Sequence, residues 1–387
     1  MARNGFRYLK QPLCHPPLPV QSLAQLPVKK KLSQAGNALG VFTIRTTPER
    51  PMTLRTARHS TALALIFGLA LASAASAADI KPAVVYDLGG KFDKSFNEGV
   101  FHGAEKFTKD TGIEFRDFEI KNDAEREQAM RKFARDGFSP IVAVGFSQAS
   151  ALEKVAAEFP DTKFAIIDMV VEKPNVQSIV FKEQEGSFIV GLHAAKASRT
   201  GKVGFVGGMD IPLIRRFACG YVQGVKFANP KGEVFQNMTG TTGAAWNDPV
   251  KGGELAKAQI DRGADVIYHA AGGTGIGVLR AAADAGKLGI GVDSNQNGLF
   301  PGKVLTSMLK RVDNATYKTF MEAKNGTWKA GFSVNGLKEE GVGWALDDND
   351  RALITPEMKA AADAATADII SGKIVVADYM KDNKCPE

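Results

Sequence analysis

Three aspartates each close an apolar run: Asp87 in 82-PAVVYD-87, Asp168 in 163-KFAIID-168 and Asp293 in 288-LGIGVD-293. One such Asp commonly caps the helix that follows. Three at equivalent ends predict a pocket lined with carboxylates. Carboxylates accept hydrogen bonds from hydroxyls and exocyclic amines and repel phosphate, so the matching partner is neutral and polyhydroxylated or amine-bearing. Aromatic residues stand nearby. In 93-DKSFN-97, Phe96 lies between Ser95 and Asn97. That cluster reads either as a helix start capped by Ser95 or Asn97, or as an aromatic platform flanked by hydrogen-bonding groups. Another apolar run leads into Gly145, Phe146 and Ser147, and Trp246 precedes a helix opened by Asp248 and Pro249. Trp246 is then a second plate facing a cleft or a lid over the core. Stacking plus hydrogen bonding is the chemistry of recognising a flat polar molecule.

Bond-breaking chemistry has little support. There is no GxSxG elbow and no Cys/His nucleophile pair. His102, His193 and His269 are far apart in sequence and lack zinc-ligand spacing. The segment 272-GGTGIG-277 lacks the spacing of a dinucleotide fingerprint. It reads as a tight strand-to-helix turn in which Gly272 and Gly275 let the backbone approach a ligand. No metal, no cofactor and no catalytic residue is expected.

The elements that must position these residues alternate. Strands are predicted at 82–87, 113–120, 140–146, 163–168, 201–208, 233–238, 264–270, 288–293 and 303–309, with helical patterns such as 124–137 and 252–263 between them. This alternation indicates βαβ units and parallel sheets. About 310 residues is long for one such sheet, so two α/β lobes are expected. The block 176–191 reads as a strand passing directly into a helix, a crossover between lobes. Ligands of open parallel sheets sit outside the carboxyl ends of the strands, which is where the aspartates and aromatics gather.

The net charge of +7 suggests nucleic acid, but residues 1–78 carry ten Lys/Arg and one Glu, a charge of +9, leaving −2 for the rest. Nucleic acid is therefore not an expected partner. Residues 52–78 have the basic, apolar and small-residue regions of a cleaved signal peptide, with no Cys at the cleavage site. Residues 1–51 read as a disordered extension or a mis-called start. A freely soluble periplasmic protein, not lipid-anchored, is expected. Cys219 and Cys385 remain in the mature chain, either paired or as two unrelated thiols.

Nearly the whole mature chain resembles the basic membrane protein family of substrate-binding proteins for ABC importers, and within it the purine nucleoside receptors. The resemblance is carried by Asp87 with 93-DKSFN-97, by 144-VGF-146, 165-AIID-168 and 204-GFVGGMDIPLIRRFACGYVQGV-225, and by 246-WNDPVKGGELA-256, 269-HAAGGTG-275, 290-IGVDSNQ-296 and 303-KVLTSMLKRV-312. It implies a type I periplasmic binding protein fold, two Rossmann-like lobes with parallel sheets and a three-stranded hinge. The lobes are expected at 79–183 with 303–325 and at 184–302 with 326–387. By resemblance Phe96 and Trp246 stack on a purine, and Asp87, Asn97 and Asp168 read its polar edges or their neighbourhood. Asp293, Lys310 and the Gly272–Gly275 turn hold ribose hydroxyls, and Phe146 joins the site. Asn295 stands where many relatives carry an Asp, and Trp246 where Phe is commoner. The implied role is capture of a purine nucleoside by a monomer and delivery to an ABC permease in the inner membrane. Riboflavin as the ligand, a sensory receptor and a secreted nucleoside hydrolase are the alternatives.

Overall fold

The computed structural model describes residues 80–386. The extension 1–51 and signal peptide 52–78 lie outside the described residues. The chain begins with β1 (Ala83–Tyr86), α1 (Phe96–Thr111), β2 (Arg116–Glu119), α2 (Ala124–Arg135) and β3 (Ile141–Ala143). It continues through α3 (Ala149–Glu158), β4 (Phe164–Ile167) and β5 (Val176–Phe181). These strands form a parallel sheet. Its two faces are read directly from the period of two in β1. Ala83 and Val85 pack with Met130 of α2 and Leu152 of α3, whereas Val84 and Tyr86 pack with Val100 and Phe107 of α1. A sheet covered on both faces has continuously apolar strands, and β1 is AVVY.

At Phe181 the chain crosses into a second body. It comprises α4 (Glu183–Ala197), β6 (Lys202–Met209), α5 (Pro212–Ala228), β7 (Glu233–Gly240), α6 (Pro249–Asp261) and β8 (Val266–Ala270). Then come α7 (Thr274–Asp284), β9 (Leu288–Asp293) and β10 (Val304–Lys310). The chain then returns with α8 (Val312–Lys324) and β11 (Gly331–Asn335), crosses once more to β12 (Val342–Trp344), and ends on α9 (Pro356–Ile370) and an extended tail. The sheet orders are β11-β5-β4-β3-β1-β2 and β12-β10-β9-β8-β6-β7, and only the β10–β12 pair is antiparallel. Two parallel-dominated α/β lobes joined by three crossings are the type I periplasmic binding protein architecture.

Strand pairing differs from the expected lobe boundaries at two places. Residues 303–325 are expected in the first lobe, yet β10 lies in the second sheet; residues 326–387 are expected in the second, yet β11 lies at the edge of the first. The third crossing falls between Asn335 and Val342, because β11 pairs with β5 along its whole length. Only α8 of the first returning segment belongs with the first lobe, where Phe320 meets Phe107 edge-on at 5.3 Å.

Helix α4 is buried nearly all round. Its Phe188, Ile189 and Leu192 belong to the first core, and its Val190 and Ala194 to the second. It packs on α5 at backbone contact: a Cβ at Gly220 or Gly224 would collide with the main chain of Gln184 or Phe188. The GYVQG spacing of α5 therefore sets the distance between these helices.

Candidate binding site

The carboxyl ends of β1, β3, β4, β6, β8, β9 and β10 converge on one cleft between the lobes. The first lobe supplies Asp87, Phe96, Asn97, Phe146 and Asp168, and the second supplies Trp246, Gly272, Asp293 and Lys310. About 60 Å³ inside it is open to the centres of water molecules. Nine of the ten residues singled out from the sequence thus meet at one place. Gly275 does not line the cleft. It lies in the first turn of α7, where a Cβ would collide with the buried His269 ring.

The first wall rests on Asp93, which sequence reading passed over. Its carboxylate accepts from the backbone N–H groups of Ser95 (2.9 Å), Asn97 (3.1 Å) and Glu98 (3.1 Å). Asp93, not Ser95 or Asn97, therefore caps α1 and presents Phe96 at its first position. Burial outweighs those three donors and pushes the Asp93 carboxyl up to about 7. Ser95 is freed for another task. Its hydroxyl donates across the cleft to Asp293 Oδ2 at 2.6 Å, and Ser294 Oγ donates back to the Ser95 carbonyl at 2.8 Å. Asn97 Nδ2 donates to the carbonyls of Asp87 and Gly90, bracing the glycine turn. Its Oδ1 is buried without a partner among the described residues, as is Asp168 Oδ1. Two unpartnered buried acceptors in one cleft call for a donor.

The three strand-end aspartates do not share one environment. Asp87 accepts from Leu88 N–H (2.8 Å), Ser147 Oγ (2.6 Å) and Arg126 Nη2 (2.9 Å), and so its oxygens are largely engaged. Gly145 permits this closeness, since a Cβ there would stand against Asp87 Oδ2. Asp168 and Asp293 adopt positive φ, 72° and 63°. Burial pushes the Asp168 carboxyl up to about 6 against the pull of Lys310, and raises Asp293 as well. Lys310 lies 2.7 Å from Asp168 Oδ2 and 2.9 Å from Glu183 Oε1. Burial disfavours its charge, but Asp168, Glu183 and Asp293 prevail and hold the ammonium above its ordinary range. Its Nζ also lies 5.1, 5.2 and 5.5 Å from the ring centroids of Phe96, Phe181 and Phe217. Such distances allow cation–π attraction.

The second wall is built around Trp246. Thr274 Oγ1 donates to the Ala245 carbonyl (2.8 Å) and accepts from Asp248 N–H (2.7 Å), gripping the turn on both sides of the indole. The six-membered part of that ring lies over Gly208, where any Cβ would collide with it. The sequence reading also missed Leu213, Ile214 and Phe217 of α5, which complete the apolar wall. Their signal was available in the period of α5, whose buried residues include Ile214, Phe217, Ala218, Tyr221 and Val225. Among the described residues no group of three or more His, Cys, Asp or Glu is placed to hold a metal ion. Cys219 and Cys385, left open from sequence, form a disulfide between α5 and the tail.

Residues 80–378 match the family described as ABC transporter substrate-binding protein PnrA-like. An ABC transporter nucleoside-binding protein from Lactococcus lactis is 32% identical over 321 residues, covering 77% of this chain and 89% of the relative. A Pyrococcus abyssi protein named an uncharacterized lipoprotein is 36% identical over 285 residues, covering 69% of this chain and 70% of its own. The crystal structure of an ABC transporter solute-binding protein from Aeropyrum pernix superposes with a TM-score of 0.71 at 29% identity, covering 77% of this chain and 93% of that one.

These relatives also correct the expected localisation. The expectation of a free periplasmic protein rested on a missing cysteine at the leader's cleavage site. Relatives from three Pyrococcus species are named lipoproteins, which overturns that expectation.

Proposed function

The chain belongs to the PnrA-like family of ABC transporter substrate-binding proteins, and on that premise we propose that its cleft captures a purine nucleoside for a permease. The family is one of binding proteins, so its partners are a small-molecule ligand and a transporter. The observation that carries the finer reading is the composition of the cleft. Aromatic residues enter from both lobes, and unpartnered acceptors on Asn97 and Asp168 lie among them. In this reading Phe96 and Trp246 stack on the base, each worth roughly 1–3 kcal/mol. The base edges donate to Asn97 and Asp168, and the ribose hydroxyls meet Asp293 and Lys310. Asp87 acts indirectly by bracing the first wall. A phosphate would face the carboxylates of Asp93, Asp168 and Asp293, which disfavours nucleotides. The relative from Lactococcus lactis, named a nucleoside-binding protein, supports the same reading. Ligand contacts to both lobes favour the closed arrangement, the form a permease would recognise.

Calorimetry on the full chain, stripped of carried-over ligand, tests this with inosine, guanosine, adenosine, cytidine, AMP, ribose and riboflavin. Binding of a purine nucleoside but not AMP, weakened by Phe96→Ala, is the expected result. Riboflavin binding in its place would retain the family role and replace the ligand. Heat from AMP equal to that from its nucleoside would overturn the carboxylate argument.

A further inference from the structure

A line of buried charges leaves the cleft and ends on the C-terminal tail. Glu183 touches Lys310 through Oε1 and accepts from Arg216 Nη1 through Oε2 at 2.9 Å. Arg216 Nη1 also donates to the Phe181 carbonyl at 2.8 Å, at the first lobe crossing. The other side of the guanidinium forms a two-pronged pair with Asp378, Nε to Oδ1 at 2.8 Å and Nη2 to Oδ2 at 2.9 Å. Glu183 and Lys310 side chains are 1% and 2% exposed, those of Arg216 and Asp378 13% and 17%. Alternating signs run Asp168, Lys310, Glu183, Arg216, Asp378, and only the first two line the cleft.

The tail is held independently at two further points. Gln223 exchanges hydrogen bonds with the Ala377 backbone, donating at 3.0 Å and accepting at 2.8 Å, and Cys219 is joined to Cys385. Arg216, Cys219 and Gln223 therefore present one edge of α5 to the tail, while Leu213, Ile214 and Phe217 of the same helix face the cleft. Glu183 bridges two cations, Lys310 and Arg216. Arg216 is the rigid partner, because its planar fork is fixed by Asp378 and Phe181.

We propose that Arg216 and Asp378 are positioning residues of the cleft: through Glu183 they fix the Lys310 ammonium against Asp168, so the tail shapes a site it does not line. Loss of Asp378 frees the guanidinium to rotate, Glu183 follows it, and Lys310 loses one of its two anchors. The ligand then meets an ammonium that must be reordered. The effect on ligand affinity rests on the nucleoside reading above, whereas the ordering of Lys310 does not.

The test uses the full chain with nitrogen-15 lysine. The Lys310 Nζ resonance is assigned by its absence from Lys310→Met and compared across Asp378→Asn, Asp378→Glu, Arg216→Lys and the exposed control Asp136→Asn. The expected result is a slowly exchanging Lys310 ammonium signal in the wild type. It should be lost or shifted in Asp378→Asn and Arg216→Lys, recovered in Asp378→Glu, and unchanged in Asp136→Asn. Thermal melting identifies any variant that fails to fold, and Arg216→Lys then decides in place of Asp378→Asn. A Lys310 signal indifferent to both overturns the proposal, whatever the ligand. Inosine affinity reduced roughly 2- to 30-fold in the same folded variants is the expected consequence. If the wild type does not bind inosine, the nucleoside reading fails while the ammonium signal still decides the positioning role.

Discussion

Asp87 and Asp293 each stand at the carboxyl end of a strand, one in each lobe, yet they do opposite work. Asp87 is bonded to a buried arginine, a serine and a backbone amide of its own lobe. Asp293 turns through positive φ and takes its hydroxyl donor, Ser95, from the other lobe. The first is a fastener within a wall; the second is a group shared across the gap. The difference comes from the partners each one finds, not from residue type. A strand-end carboxylate therefore reveals its role only when its counter-charge is known.

The contrast breaks most visibly in stability. Asp87→Ala takes one of two carboxylates from the buried Arg126, which keeps Asp123, a loss expected to cost about 3 kcal/mol in urea unfolding, the low end for a broken buried pair. Asp293→Asn should be nearly neutral in the same experiment, because burial already disfavours its ionised form. If Asp293→Asn proves the more destabilising, the two roles have been exchanged. Next in size is binding. Loss of the Asp293 charge should weaken nucleoside affinity by about 1.5–3 kcal/mol in calorimetry, the range of hydrogen bonds to charged groups. Gly208→Ala displaces the indole of Trp246 without touching a carboxylate. It should weaken binding by roughly 1 kcal/mol, part of one stacking contact, with little change in melting temperature.

A further effect is in pH. The Asp93 carboxyl titrates near 7 in the folded chain against an ordinary 3.8, so the native state holds an extra proton between those values. That contribution is complete below about pH 4 and lost as pH rises through 7. The wild type should therefore lose stability over this window relative to Asp93→Asn, whose amide does not titrate. Parallel melting curves would show that Asp93 is ionised throughout.

The alternation of elements was legible because covered parallel strands are apolar throughout and their helices are amphipathic. Strands β1 to β10 follow from that pattern within a few residues. Strands β11 and β12 were not legible, since GFSVN is almost wholly exposed at a sheet edge and β12 has three residues. The same blindness misplaced the third crossing. At the site, strand-end position was enough to find Asp168, Phe146 and Trp246. It could not separate Asp87 from Asp293, whose partners Arg126 and Ser95 lie 39 and 198 residues away. Asp93 was hidden by the more familiar caps beside it, and Gly275 packs on His269 while Gly272 lines the cleft.

The returning segments carry one more consequence, for the order in which the protein takes shape. Helix α8 and edge strand β11 complete the first lobe, but both are synthesised after β6 to β10 of the second. An emerging chain cannot finish its first lobe while the second is still missing. Val84, Phe107 and their neighbours must wait, without Phe320, for more than 200 residues of chain to appear. The last elements of both lobes, α8 and β11 for the first and β12 for the second, come from the end of the chain, so neither lobe has all its parts until synthesis is nearly complete.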